Sequence, residues 1–410
     1  MNDNNLKFNN KLPLKACMLA YTFYETDGRV MRYAETLVQE GCIVEAIVLR
    51  RDMQPEEELV NGVKVLRIQR RVKNESRKFS YLARILKFFF HSMMEITRRH
   101  LKEPYDIIHV HSVPDFEVFA AFVPKLLGAK VILDIHDIVP EFYSAKFKVG
   151  QDSLVFLVLK FVEKLSAAFA DHVIIANDLW LEKITARSVP KDKCSSFINY
   201  PDLSIFNSDL NTGKTHSQFI MIYPGTLNWH QGLDIAINAF AIAKEKAPNI
   251  ELHIYGEGSA KSELQKQIVD LQLSDKVFLR SPLPLRNIAV VMANADLGIV
   301  PKRNDSFGGD AFSTKILEFM ALGLPVVVAG TRVDQYYFNE TLLRFFKAGD
   351  VNDLARVMLD AYFNRELNNQ LASRALTFAY QHSWDTKKYD YLNLINQLTQ
   401  RSKKVLYANR

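Results

Sequence analysis

The sequence predicts an α/β chain of two tandem doubly wound domains, each a mostly parallel sheet with helices on both faces. Three observations carry this. Short apolar runs alternate with helical patterns along the chain, as they do in a wound parallel sheet. The alternation restarts after a polar stretch, Asp202 to Ser217, which reads as a linker. The length of 410 residues exceeds the roughly 250–300 residues that one core sustains. The expected division is 1–205 and 206–382, with a last helix, 383–410, returning to the first domain.

In the first half, Leu14–Ala20 reads as a strand. The loop Tyr21 to Arg29 leads into a helix that ends near Gly41, and Ile43–Leu49 is the next strand. Val63–Ile68 reads as a third strand, followed by a basic helix. Strands at Ile107–His111 and Lys130–Asp134 flank a helix from Phe116 to Leu127. A long helix, Asp152 to Phe169, precedes a strand at His172–Ala176. In the second half the strands are Phe219–Gly225, Ile250–Tyr255, Lys276–Leu279, Asp296–Val300 and Val326–Ala329. Helices Leu233–Glu245, Ala260–Leu271 and Leu285–Ala293 separate them. Asp350–Ala379 reads as helical, and Ser383-Trp384-Asp385 opens the last helix. Tandem domains of this kind hold ligands in the cleft between them, at the carboxyl ends of the strands.

Composition narrows the class. Hydrophobic residues make up 48% and charged residues 24% of the chain, as in ordinary globular proteins. Cys17, Cys42 and Cys194 are widely spaced and odd in number, which predicts reduced thiols in a cytoplasmic setting. Met1 to Asn5 is polar and has no signal-peptide core. The apolar stretch Ser153–Ile175 is broken by Lys160, Glu163, Lys164, Asp171 and His172, too often for a membrane span. Net charge is +6, concentrated between Lys64 and Lys102, where twelve Lys or Arg face two acids. The segment 79–102 mixes those charges with Phe and Leu. A helix of this kind lies on an anionic membrane face, or it packs its apolar side on the core. Both readings stay open. No nucleic-acid motif accompanies the charge.

The most informative stretch is Gly308 to Glu318, in which Asp310 and Glu318 stand eight residues apart across the start of a helix. The free N–H groups at a helix start suit a phosphate, and carboxylates suit sugar hydroxyls. Acids also occur there to complement the helix dipole, and Ser313 or Thr314 could serve as an N-cap.

With Tyr223-Pro224-Gly225-Thr226-Leu227, His230-Gln231-Gly232-Leu233-Asp234, Ile254-Tyr255-Gly256-Glu257-Gly258, Ala295-Asp296-Leu297-Gly298 and Gly323-Leu324-Pro325-Val326-Val327 in the same order, the second half resembles glycosyltransferase family 4, whose fold is GT-B. The first half matches more loosely, through Tyr24 to Arg32, Leu133 to Asp137 and Phe197 to Asp202. The resemblance implies a retaining, metal-independent enzyme with no cofactor. It would move a sugar from a nucleotide-diphosphate sugar to a carbohydrate or lipid-linked acceptor, in cell-envelope or extracellular polysaccharide synthesis; a lipid-linked acceptor would account for the basic, aromatic segment 79–102, with peripheral attachment to the inner face of the plasma membrane. The alternatives are a non-catalytic partner subunit and a sugar-nucleotide epimerase.

Carried residue by residue, the resemblance gives Asp310 the donor sugar, where the family has Glu, and Glu318 the ribose. His136 would bind or polarise the sugar. Phe312, Ser313 and Thr314 would meet the diphosphate or sugar through the loop and its amides. An alternative register on Asp305 is rejected because it puts Ser313 where the second acid belongs. Gly225 is kept, but the Arg and Lys that the family has beside its two glycines are Thr226 and Gln231 here. Lys302 and Lys315 are the favoured replacements. Gly28, Arg29 and Arg32 would face the acceptor, and His109 and His111 read as core residues.

Overall fold

The computed structural model describes residues 13–71, 78–147, 149–213, 217–305 and 307–408. Met1 to Asn5 and residues 214–216 of the expected linker, named above, lie outside the described residues. The chain divides into two compact units, 1–198 joined by 388–410, and 199–387. The three cysteines are free. Among the described residues, no helix is long and apolar enough to cross a membrane.

The first unit runs β1 (Lys15–Ala20), α1 (Gly28–Gln39), β2 (Ile43–Arg50), β3 (Glu57–Val60), β4 (Val63–Arg70), α2 (Lys78–Lys102) and β5 (Ile107–His111). A 3-10 stretch, Asp115–Ala121, leads into α3 (Phe122–Leu126). Then come β6 (Lys130–Ile135), α4 (Val139–Phe147), α5 (Leu154–Phe169), β7 (His172–Ile175), α6 (Asp178–Thr185) and β8 (Cys194–Ser196). The sheet order is β3-β4-β2-β1-β5-β6-β7-β8. Only β3 pairs antiparallel. β1 and β5 are buried along their whole length, which is why they read as unbroken apolar runs. Winding goes one way from β1 to β2 and β4, then reverses from β5 onward. Right-handed crossovers therefore place α2, α3, α5 and α6 on one face and α1 on the other.

The second unit runs β9 (Phe219–Pro224), α7 (Leu233–Lys244), β10 (Ile250–Tyr255), α8 (Lys261–Asp270), β11 (Val277–Arg280), α9 (Leu285–Ala293), β12 (Leu297–Val300), α10 (Thr314–Ala321) and β13 (Val326–Ala329). It continues with α11 (Arg332–Tyr337), β14 (Arg344–Phe346), α12 (Val351–Phe363) and α13 (Arg365–Gln381). Its sheet order is β11-β10-β9-β12-β13-β14, so here the winding reverses between β9 and β12. The last helix, α14 (Trp384–Ala408), belongs to the first unit from Lys388 onward.

Two expected helices form differently. The stretch 116–127 is 3-10 through Ala121 and α-helical for only five residues, because Pro124 has no amide for a longer helix. The expected helix 350–379 breaks at Asn364, which ends α12 and caps α13 by accepting from the Leu367 amide at 3.2 Å.

Phe240 is fully buried at the centre of the second unit's core, among residues from α7, β9, β10 and α12. Phe240→Ala is expected to cost about 3–5 kcal/mol. The readout is a lowered urea midpoint for the second unit, and an unchanged midpoint would refute this placement of the core.

Candidate active site

Each sheet reverses its winding at one point, and the loops leaving the carboxyl ends of the strands there frame a ligand crevice. In the second unit these are the loops after β9 and β12. They are stitched together: the Arg303 amide donates to the His230 carbonyl at 2.9 Å, and Arg303 Nη2 lies 2.5 Å from Asp234 Oδ2. Gly232 takes a left-handed φ of 68°, and a Cβ there would sit 2.0 Å from the Pro301 carbonyl oxygen. Only glycine permits so close a crossing.

Thr226 is exposed. The Tyr223 hydroxyl is 3.0 Å from the Thr226 carbonyl oxygen and 2.9 Å from Gln231 Oε1. The two residues that stand where the family has cations thus form a neutral loop around Tyr223.

Lys315 lies across the end of β9. A Cβ on Gly225 would sit 2.3 Å from its Cε and 2.9 Å from its Nζ, so the bare glycine makes room for the side chain. The ammonium is 5.2 Å from the centre of the Tyr223 ring. Among the described residues it makes neither a hydrogen bond nor an ion pair. Burial lowers its pKa, Glu318 raises it and Lys302 lowers it, and the net shift is downward. An ammonium desolvated in this way gains by meeting an anion. Beside it, Ser313 is the N-cap of α10, but no side chain caps the helix, and the buried Ser313 Oγ has no partner. The Thr314 and Lys315 amides fall in the first turn, where N–H groups have no helical acceptor. Half-buried Glu318 lies one turn further along the same helix.

Lys302 has a different position from the one expected for it. It is buried, with Nζ 2.9 Å from Asp334 Oδ2 and donating to the Ala311 carbonyl at 2.6 Å. Thr331 Oγ1 also donates to Asp334 Oδ2, at 2.6 Å. Its ammonium therefore fixes the loop that carries Asp310 and Ser313. Asp310 is buried, with Arg332 Nη1 3.7 Å from Oδ1. The half-buried ring of Phe312 meets Tyr337 edge-on at 5.0 Å. Asp305, whose register was rejected, caps its own turn by accepting from the Phe307 and Gly308 amides.

In the first unit the reversal lies between β1 and β5. Register pairs His111 with Asp134 across β5 and β6. Asp134 is fully buried and takes a two-pronged contact from Arg29, at 2.8 Å from Nε and 2.7 Å from Nη2. His111 Nδ1 and His136 Nε2 both stand 3.2 Å from Asp134 Oδ2. Burial alone would raise the Asp134 pKa, but Arg29 and His136 outweigh it and hold the carboxyl well below its usual range. His109, behind, has Nδ1 3.1 Å from the Tyr391 hydroxyl of α14. Burial lowers the pKa of both His109 and His111.

Of this network His136 alone is partly exposed, with 21% of its side chain accessible. Arg29, expected to face the acceptor, is instead buried and also donates to the Phe197 carbonyl at 2.7 Å. It orders the site from below. Arg32 is half-buried on α1, and Gly28 is exposed with nothing within 4 Å of an added Cβ. His109, His111 and Asp134 offer three ligand atoms within 4.8 Å of one another, and both carboxylate oxygens of Asp134 meet Arg29. The Arg29–Asp134–His111 arrangement was not foreseen. Its signal was present in the alternation of His109 and His111 on one face of a strand beside Asp134.

Comparison with known proteins agrees with this architecture. Residues 207–377 match the family described as "Glycosyl transferases group 1", and residues 28–196 match "Glycosyl transferase 4-like domain". The chain belongs to this glycosyltransferase family. It is 30% identical over 154 residues to the amylovoran biosynthesis glycosyltransferase AmsK of Erwinia amylovora, covering 36% of this chain and 37% of that protein. It is 25% identical over 326 residues to a D-inositol 3-phosphate glycosyltransferase of Thermomonospora curvata, covering 73% of each. Its fold is GT-B, shared with the sucrose-phosphate synthase of Thermosynechococcus elongatus at a TM-score of 0.72 and 15% identity, over 97% of this chain and 100% of that one. Anabaena HepE in complex with UDP-glucose matches at a TM-score of 0.68 and 15% identity, over 96% and 99%.

Arg29→Met strands a buried carboxylate and is expected to cost the first unit about 3–5 kcal/mol. A loss below about 1 kcal/mol in urea unfolding would show the pair to be dispensable. Acid acts on the same network. The folded His109 and His111 bind protons more weakly than the unfolded chain does, so the stability they contribute is complete above about pH 6.5 and is lost as pH falls below it. The depressed Asp134 adds a further loss below about pH 4. Urea midpoints of the first unit are expected to decline from pH 7.5 to pH 5, and a flat profile would contradict this.

Proposed function

We propose that the chain is a retaining, metal-independent glycosyltransferase. It moves a sugar from a nucleotide-diphosphate donor to a carbohydrate or lipid-linked acceptor in envelope or extracellular polysaccharide synthesis. The observation that carries this is the unpaired Lys315 ammonium lying over Gly225, beside the uncapped start of α10 and the unpartnered Ser313 hydroxyl. A cation, free amides and a hydroxyl in one place form a cradle for a diphosphate.

In this reading the diphosphate departs from the sugar carbon with increased negative charge, and Lys315 with the α10 amides stabilises it. This takes over the work of the family's Arg and Lys at positions 226 and 231, so no metal ion is required. Lys302 acts on the loop, holding the Ala311 carbonyl and with it Asp310, which contacts the donor sugar. Glu318 accepts hydrogen bonds from the ribose hydroxyls. His136, held by Asp134, binds or polarises the sugar. The polysaccharide setting is supported by the amylovoran relative, and a glucosyl donor by the UDP-glucose complex of HepE. The reaction belongs on the cytoplasmic side of the plasma membrane, where the segment 79–102 attaches the enzyme to anionic lipid.

Uridine, guanosine and adenosine diphosphate sugars, offered with EDTA, separate the readings. At least one is expected to raise the melting temperature and to be turned over with the chelator present. Loss of turnover on chelation would overturn the metal-independent reading. No shift with any nucleotide would favour a non-catalytic partner subunit. Lys315→Ala is expected to lower kcat about 10²–10³-fold, and an unchanged rate would remove Lys315 from the mechanism.

A further inference from the structure

We propose that the outward faces of α2, α3 and α5 together form a docking surface for an anionic lipid bilayer. This deepens the membrane attachment assigned above to 79–102 and does not depend on the transfer chemistry.

The three helices follow successive crossovers in one winding direction, so they lie side by side on one face of the sheet. Phe89 of α2 meets Phe116 of the 3-10 stretch at 5.8 Å. Phe169 of α5 meets Phe119 at 5.1 Å and Phe122 at 6.3 Å. The inward sides are apolar, as in any such layer: Ile85, Phe88 and Ile96 from α2, and Phe156 and Ala167 from α5, are buried.

The outward sides are apolar too. On α5, Leu154, Val155, Leu157, Val158, Phe161 and Leu165 are all exposed, Leu154 by 78% and Phe161 by 60%. On α2 the ridge Leu82, Leu86, Phe90 and Met94 repeats every four residues, and on α3 Phe122 and Leu126 are exposed. A water-facing helix presents polar residues on that side, and contiguous apolar surface of this kind marks an interaction site.

Charge identifies the occupant. Segments 78–94 and 122–127 contain no acid, and 154–169 contains only Glu163. Glu163 is buried, 2.5 Å from Arg187 Nη2 and 2.5 Å from the Ser188 hydroxyl. Lys87, Lys160 and Lys164 make no ion pair among the described residues. The surface is therefore apolar with unpaired cations, and the acids at its margins are Glu95, paired with Arg98 and Arg99, and Asp152, which matches acyl chains below anionic headgroups. A second copy of the chain fits poorly, since a two-fold contact would oppose these lysines to one another with no carboxylate between them.

Flotation of the full chain with phosphatidylcholine vesicles, and with vesicles that also contain phosphatidylglycerol, tests this. Binding is expected only where phosphatidylglycerol is present, and it should weaken as salt rises. The double variant Phe161→Ser, Leu165→Ser is expected to bind at least about tenfold more weakly, with melting temperature and donor hydrolysis unchanged because both side chains face outward. Lys160→Glu with Lys164→Glu should likewise lose about tenfold or more on the anionic vesicles. Equal binding to both vesicle types, or none to either, would overturn the proposal. So would a concentration-dependent dimer that Phe161→Ser dissolves, since the occupant would then be a second copy.

Discussion

A parallel sheet wound by right-handed crossovers can cover both of its faces only by reversing direction, and each reversal parts two neighbouring loops at the carboxyl edge. Everything chemical in this chain depends on that constraint. In the second unit the reversal separates β9 from β12 and brings Gly225, Gln231, Lys302 and the start of α10 around one crevice. In the first unit it falls between β1 and β5, beside which His111 and His136 both meet Asp134. These residues are far apart in sequence and lie where backbone geometry sends them.

Electrostatics then works differently in the two places. In the first unit a buried carboxylate is saturated: Asp134 holds Arg29 and two imidazoles, and the result is a rigid floor under His136. In the second, Lys302 is paired with Asp334 while Lys315, thirteen residues on, makes no ion pair among the described residues. Two lysines in one loop-and-helix segment thus differ: one holds the backbone, and the other makes no ion pair among the described residues. Burial separates the two, because only a cation without a protein anion retains its attraction for an external one.

Much of this was legible in the sequence. β5, β10, β13 and α9 fall where the apolar runs place them, because parallel strands buried on both faces leave few alternatives. The strands that were missed lack that signal. β3 is a mostly exposed edge strand containing two glutamates, while β8 and β14 are three residues long. At the candidate site, Asp310 and Glu318 could be picked out as a pair because both lie within eleven consecutive residues. The different fates of Lys302 and Lys315 were not, since they turn on Asp334, which no local pattern links to Lys302. Arg29 was misjudged for the same reason: its carboxylate lies 105 residues away.

The contact between Tyr391 and His109 joins positions 282 residues apart. Because α14 follows the whole second unit in the chain, a ribosome completes residues 199–387 before it supplies the helix that finishes the first unit. Vectorial synthesis usually lets an amino-terminal domain mature first. Here Tyr33 and His109 wait for Tyr391, so the first unit is the one completed last. A nascent chain would thus carry a complete second unit before its first unit is finished.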